Sequence, residues 1–134
     1  ADVCYIDPPY NSRQYSRFYH VLENIAEWKK PELFGVAMKP RPQKMSEYCR
    51  VSAPTVFADL INNLQTQYVV VSYNNTYDSK SSSSRNKITL EEIQDTLASK
   101  GNVKRFSTKH AFFNTGKTDF ADHQELLFIT EVKR

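Results

Sequence analysis

Asp7-Pro8-Pro9-Tyr10 is the stretch of this chain whose residue types and order could do chemistry. Asp7 offers a carboxylate, Pro8 a carbonyl, Pro9 a fixed backbone angle and Tyr10 a flat aromatic face. The double proline stiffens the loop, so the two acceptors are preorganised. Aimed at the two N–H bonds of an amine, they would orient it and draw it towards tetrahedral geometry. That is catalysis by positioning and electrostatics, and it needs no metal. Asp-Pro-Pro alone is a common turn, and Tyr10 could simply cap a core. The surroundings of the motif decide between the two readings.

Residues 2–6 are β-rich and mostly apolar, which predicts a strand buried in a parallel sheet, and Pro8 must end it. Asp7 then stands at the carboxyl end of the strand, where open α/β sheets place their ligands. Phe18, Val21, Leu22, Ile25 and Trp28 recur at helical spacing and predict a helix over about residues 15–29. Arg13, Gln14 and Arg17 fall near its start, either to meet phosphate or base or as a solvated helix end. His20 reads as a partly packed helix residue, and Tyr15 and Tyr19 either line a pocket or join the core. The proline-rich run 29–44 cannot hold a long helix. Lys39, Arg41, Lys44 and Arg50 would put positive charge on this excursion, against a DNA backbone or merely facing solvent.

A second helix is expected over 52–65, with Ser52 as cap, Pro54 in the first turn, and Val56, Phe57, Leu60, Ile61 and Leu64 facing the core. Residues 68–75 form a buried strand whose polar end should lie beside Asp7, so that Tyr73 and Asn74 border the site or make a plain turn. A serine-rich polar stretch, 78–87, follows. Thr89 and Glu92 fit a capping box for a helix over 89–99, with Gly101 as its stop. Residues 102–110 and 124–133 read as two strands of a hairpin. The loop between them carries Phe112, Phe113, Lys117 and Phe120 after Lys109 and His110. Those aromatics either meet nucleic acid or plug the hairpin base, and the second reading is preferred.

The chain has 134 residues, enough for one domain with a modest core, and 40% of them are hydrophobic with 25% charged. A net charge of +3 permits nucleic-acid binding without requiring it. Cys4 and Cys49 are too few for a disulfide framework or a zinc site. With no membrane-length apolar run and no signal sequence at the start, a cytoplasmic protein with reduced thiols and no membrane association is expected.

Asp7-Pro-Pro-Tyr-Asn-Ser-Arg-Gln-Tyr15, Val71-Ser-Tyr-Asn-Asn75 and Asp122-His-Gln-Glu-Leu-Leu-Phe-Ile129 together resemble the Dam-like class of DNA adenine methyltransferases of restriction–modification systems. The resemblance implies methyl transfer from S-adenosylmethionine to the exocyclic amine of an adenine flipped out of double-stranded DNA. It makes Asp7, Pro8, Pro9 and Tyr10 catalytic, brings Asp7 near the cofactor, and places Asn11, Arg13, Tyr73 and Asn74 around the substrate. Tyr10 would then stack on the flipped base. Lys39, Arg41, Lys44 and Arg50 become candidates for contacts to DNA.

In that family a cofactor-binding half with a Phe-x-Gly-x-Gly turn, and the target-recognition region, precede the motif. Only three glycines occur here and no Gly-x-Gly. The chain is therefore expected to be the carboxyl-terminal catalytic half: an α/β, partial Rossmann-like sheet of about four mixed strands ending in an antiparallel hairpin, with flanking helices. The family's strand order three-two-one-four-five-seven-six would leave four, five, seven and six, with residues 2–6 at an open edge. The expected partners are a missing amino-terminal half or second subunit, or a second copy of the chain through that edge. Related Asn/Asp-Pro-Pro-aromatic motifs act on RNA or on protein glutamine, and a module that keeps the fold without the chemistry is a third reading. Asp at position 7 with the Asn-Ser-Arg-Gln-Tyr continuation favours DNA.

Overall fold

The Val69-Val70-Val71 run lies in a strand paired on both sides, by strands from near the two ends of the described residues. A computed structural model describes residues 1–41, 45–76, 85–109 and 123–133. Its strands are β1 (Val3–Ile6), β2 (Tyr68–Asn74), β3 (Gly101–Lys109) and β4 (Gln124–Val132), in the sheet order β1-β2-β4-β3. β1 runs parallel to β2 with Ile6 opposite Val71, whereas β4 is antiparallel to both β2 and β3. This is the mixed sheet and the order expected from the sequence, with β1 at one edge. Residues 110–122, with His110, Phe112, Phe113, Lys117 and Phe120, lie outside the described residues, as do Lys44 and most of the serine-rich stretch.

Alternation along the strands divides the sheet into two unlike faces. On one, Val69, Val71, Tyr73, Leu126 and Phe128 are fully or almost fully buried under α3 (Ala53–Asn63) and α4 (Leu90–Lys100), which contribute Phe57, Ile61, Ile93 and Leu97. The side chain of Thr89 accepts from the Glu92 N–H and Glu92 Oε2 accepts from the Thr89 N–H, so the expected capping box closes the start of α4. At the other end, Lys100 Nζ donates to the Asn62 carbonyl at 2.7 Å and ties the two helix termini together. The opposite face carries the cross-strand rows Tyr5, Val70, Ile129, Lys104 and Ser72, Leu127, Phe106. No described helix packs on it, and Tyr5 and Phe106 are exposed.

Several expectations change. β1 is parallel but not buried: Val3 and Tyr5 point to the uncovered face, and only Ile6 packs on the core. The helix expected over 15–29 is broken at Tyr19 into α1 (Tyr15–Phe18) and α2 (His20–Ala26), because Tyr19 leaves helical geometry at ψ 16°. Its apolar stripe of Phe18, Val21, Leu22 and Ile25 is exposed, since α1 and α2 touch each other and no other described element. Periodicity identified the stripe but not what would cover it. α2 ends in a six-residue C-terminal lock. Lys29 N–H donates to the Asn24 carbonyl and Trp28 N–H to that of Ile25, with Trp28 at φ 53° where glycine is usual.

Gly101 does end α4, but not through the left-handed backbone a glycine stop normally adopts. Its φ of 177° is extended, and β3 begins at the same residue. Glycine is required there because a Cβ would fall on the backbone of Glu131 in β4. Ser52 flanks α3 without capping it: its hydroxyl donates to Glu47 Oε2 at 2.6 Å, and α3 stops at Asn63.

Candidate active site

Pro8 has no N–H with which to continue the β1 ladder, so the chain leaves the sheet directly after Asp7. The pairing of Ile6 with Val71 sets Asp7 beside Ser72. Asp7 Oδ1 accepts two hydrogen bonds, from Ser72 Oγ at 3.0 Å and from the Tyr10 hydroxyl at 3.0 Å. Tyr5, two residues back on the same face, donates its hydroxyl to Ser72 Oγ at 3.0 Å. Among the described residues no hydrogen bond falls on Asp7 Oδ2 or on the Pro8 carbonyl. The carboxylate is exposed at the strand end. Oδ1 is thus the fixed oxygen of the pair.

Tyr10 is fixed from below. Its carbonyl accepts from the Lys87 N–H at 2.8 Å and from the Tyr73 hydroxyl at 3.3 Å, and that hydroxyl in turn accepts from the Ile88 N–H at 3.3 Å. The two rings meet edge to face, with centroids 5.0 Å apart and planes at 84°. Burial, reinforced by the Asp7 carboxylate that accepts its proton, raises the Tyr10 pKa. Burial also pushes the Tyr73 hydroxyl up to about 12. Both stay protonated at neutral pH and can act as the donors the geometry requires.

The end of β2 is held by a buried amide cluster. Asn74 Oδ1 accepts from the Thr76 N–H at 3.2 Å and from Asn86 Nδ2 at 2.9 Å, while Asn86 Nδ2 also donates to the Asn74 carbonyl at 2.8 Å. Thr76 Oγ1 reaches Asn86 Oδ1 at 2.6 Å. Gln124 N–H donates to Asn75 Oδ1 at 2.9 Å, so β4 is locked to the same corner. Asn86, Lys87 and Ile88 enter together, and the segment leading into α4 clamps the motif loop.

A rigid carboxylate oxygen, a backbone carbonyl and an aromatic side chain at the end of a parallel strand can bind and orient a small N–H donor, and comparison with known proteins narrows that class. The family model for D12 class N6 adenine-specific DNA methyltransferases matches residues 1–79. The chain belongs to this family. It is 37% identical over 103 residues to the type II methyltransferase M.FokI of Planomicrobium okeanokoites, an alignment covering 75% of this chain and 14% of that protein. Against the modification methylase LlaI of Lactococcus lactis subsp. lactis it is 44% identical over 76 residues, 56% of this chain and 12% of the relative. Against the type II methyltransferase M.NlaIII of Neisseria lactamica it is 30% identical over 125 residues, 92% of this chain and 34% of the relative. The chain thus spans only a minor part of the length of these relatives. No solved structure matches it.

Within this member of the D12 family the residues singled out from sequence have different surroundings. Asp7, Pro8, Pro9 and Tyr10 are contiguous at the strand end. Asn11 Oδ1 accepts from the Arg13 N–H at 2.9 Å and makes a tight turn that carries Arg13 outward, exposed. Tyr73 and Asn74, read as bordering the substrate, are buried, and their polar atoms are bonded to Tyr10, Ile88, Thr76 and Asn86. They support the motif from beneath. Lys39 lies 5.9 Å from the Phe18 ring centroid and Arg41 4.5 Å from that of Phe34, on the short 34–39 bridge. Arg50 stands apart from them, beyond the 3₁₀ turn Glu47–Cys49, paired with Glu47 at 3.5 Å.

Sequence reasoning missed Tyr5, Ser72 and Asn86. A signal for Ser72 was present: it is the polar residue that interrupts the apolar run of β2, one position beyond the Val71 that pairs with Ile6.

Proposed function

We propose that this chain supplies the catalytic half of an adenine-specific DNA methyltransferase, which transfers a methyl group from S-adenosylmethionine to the exocyclic amine of an adenine flipped out of the duplex, in a restriction–modification setting in the cytoplasm. The observation that carries the proposal is the division of labour at Asp7: Oδ1 is fixed by Ser72 and Tyr10, while Oδ2 and the Pro8 carbonyl take no hydrogen bond among the described residues. Two acceptors, one on the exposed Asp7 and one on the buried Pro8, match the two N–H bonds of an amine. Holding both turns the nitrogen lone pair away from the ring system to which it is otherwise delocalised. Tyr10 keeps its proton, fixes Oδ1 and offers its ring to the extruded base.

S-adenosylmethionine, when bound, supplies an electrophilic methyl on a sulfonium. Asp7 and Pro8 fit the amine that would meet it. The chain has no Gly-x-Gly with which to cradle the rest of the cofactor. The segment carrying that cradle is proposed to add along the open edge of β1, over the exposed Val3 and Tyr5. Arg13, Lys39, Arg41 and Lys44 are proposed to contact the DNA backbone, as is Arg50 after release from Glu47.

The test is transfer of labelled methyl from S-adenosylmethionine to plasmid DNA free of adenine methylation. The chain alone should bind the cofactor weakly and transfer nothing detectable. Supplied with a segment bearing Phe-x-Gly-x-Gly, it should methylate adenine, and Asp7→Ala should abolish this. Methylation that survives Asp7→Ala would overturn the proposal.

A further inference from the structure

We propose that Ser72 is a positioning residue for Asp7, and that Tyr5 sets the direction of its single proton. The role rests on the methyl-transfer reading above and adds to it the device that keeps the carboxylate in one orientation. An exposed Asp on a strand end can rotate about both side-chain bonds, and orienting an amine requires that it does not. A serine hydroxyl has one proton and can accept as well as donate. Tyr5 donates to Ser72 Oγ at 3.0 Å, so that proton is left for Asp7 Oδ1, also at 3.0 Å.

The three side chains lie together, Tyr5 on β1, Asp7 just past its end two positions on, and Ser72 beside them on β2. Tyr10 approaches the same oxygen from the motif loop, outside the sheet. Ser72 approaches from within a strand paired on both flanks. Both anchors use Oδ1, and neither uses Oδ2.

Two measurements test this. The first is the ¹³C carboxyl resonance of Asp7 in the 134-residue chain at neutral pH, assigned through Asp7→Asn. Ser72→Ala should shift it, Ser72→Thr should leave it near the native position, and Tyr5→Phe should shift it less than Ser72→Ala. A resonance unmoved by Ser72→Ala overturns the proposal.

The second is single-turnover methyl transfer to unmethylated plasmid DNA by the chain supplied with its cofactor-binding segment. Ser72→Ala should slow transfer roughly tenfold to a hundredfold with S-adenosylmethionine affinity and melting temperature unchanged, and Ser72→Thr should restore most of the rate. Full activity in Ser72→Ala while Asp7→Ala is inactive would overturn the role of Ser72 and leave the functional reading standing. A native protein that transfers no methyl even with its cofactor segment would overturn the functional reading and this role with it.

Discussion

Tyr73 holds Tyr10 in two ways at once: its ring meets the Tyr10 ring edge to face at 5.0 Å, and its hydroxyl donates to the Tyr10 carbonyl at 3.3 Å. The motif loop therefore rests on a residue of the core. Tyr73→Phe keeps the ring contact, removes the donor to Tyr10 and deprives the Ile88 N–H of its acceptor. It should cost about 1–3 kcal/mol in urea unfolding. Methyl transfer by the chain supplied with its cofactor-binding segment should fall as the loop loosens, while the core stays packed.

The same tyrosines give the fold an alkaline limit. Tyr73 titrates at about 12 in the folded chain against 10.0 for the free side chain, and Tyr10 is raised as well. A folded-state pKa above the unfolded one means that the native state holds its proton where the unfolded state has lost it. Stability from these groups is then complete below pH 10 and is lost as pH rises from 10 through 12. Thermal melts across that window should show a falling melting temperature, with phenolate absorbance rising at the same pH. Tyr73→Phe should flatten the dependence.

Asn86 is the hinge pin between β2 and the segment leading into α4. It donates to two acceptors of Asn74 and accepts from Thr76, all within a buried cluster. Asn86→Ala removes the amide that donates to the Asn74 carbonyl, leaves Asn74 Oδ1 with the Thr76 donors alone, and should destabilise the chain by about 1–3 kcal/mol. Amide hydrogen exchange at Lys87 and Ile88 should accelerate by more than the global loss explains, because their bonds to Tyr10 and Tyr73 depend on that segment staying docked.

Gly101→Ala should destabilise by about 1–3 kcal/mol in urea unfolding, through a steric clash with Glu131 and not through a turn conformation. The discriminating control is Gly101→Asn. Asparagine tolerates left-handed turns, so it would be partly accepted at an ordinary helix stop. At this extended position it should be no better than alanine.

How much was legible from sequence depended on whether the cause was local. Asp7-Pro8-Pro9-Tyr10 announced itself because proline restrains its own neighbourhood, and the Thr89–Glu92 box did so because a cap needs only four residues. The β1-β2-β4-β3 order followed from the family resemblance. The break at Tyr19 and the exposure of the Phe18, Val21, Leu22 and Ile25 stripe did not follow, because spacing reports a face and not its neighbour. The burial of Tyr73, read as bordering the site or as part of a plain turn, did not follow either, because a strand end shows which residues are near but not which way its largest side chain turns. Ser72 was missed because its role depends on strand register, which is decided between residues far apart.

That register has a consequence in time. Asp7 and Ser72 are 65 positions apart, and β2 is secured on its other flank by Gln124–Val132, close to the last residue described. A ribosome makes Asp7 well before it makes Gln124–Val132, so the strand that steadies the partner of Asp7 emerges last of the three. A nonsense mutation just before residue 124 would leave every motif residue intact in the sequence. It would also expose β2 as a new sheet edge and deny Asp7 its fixed partner.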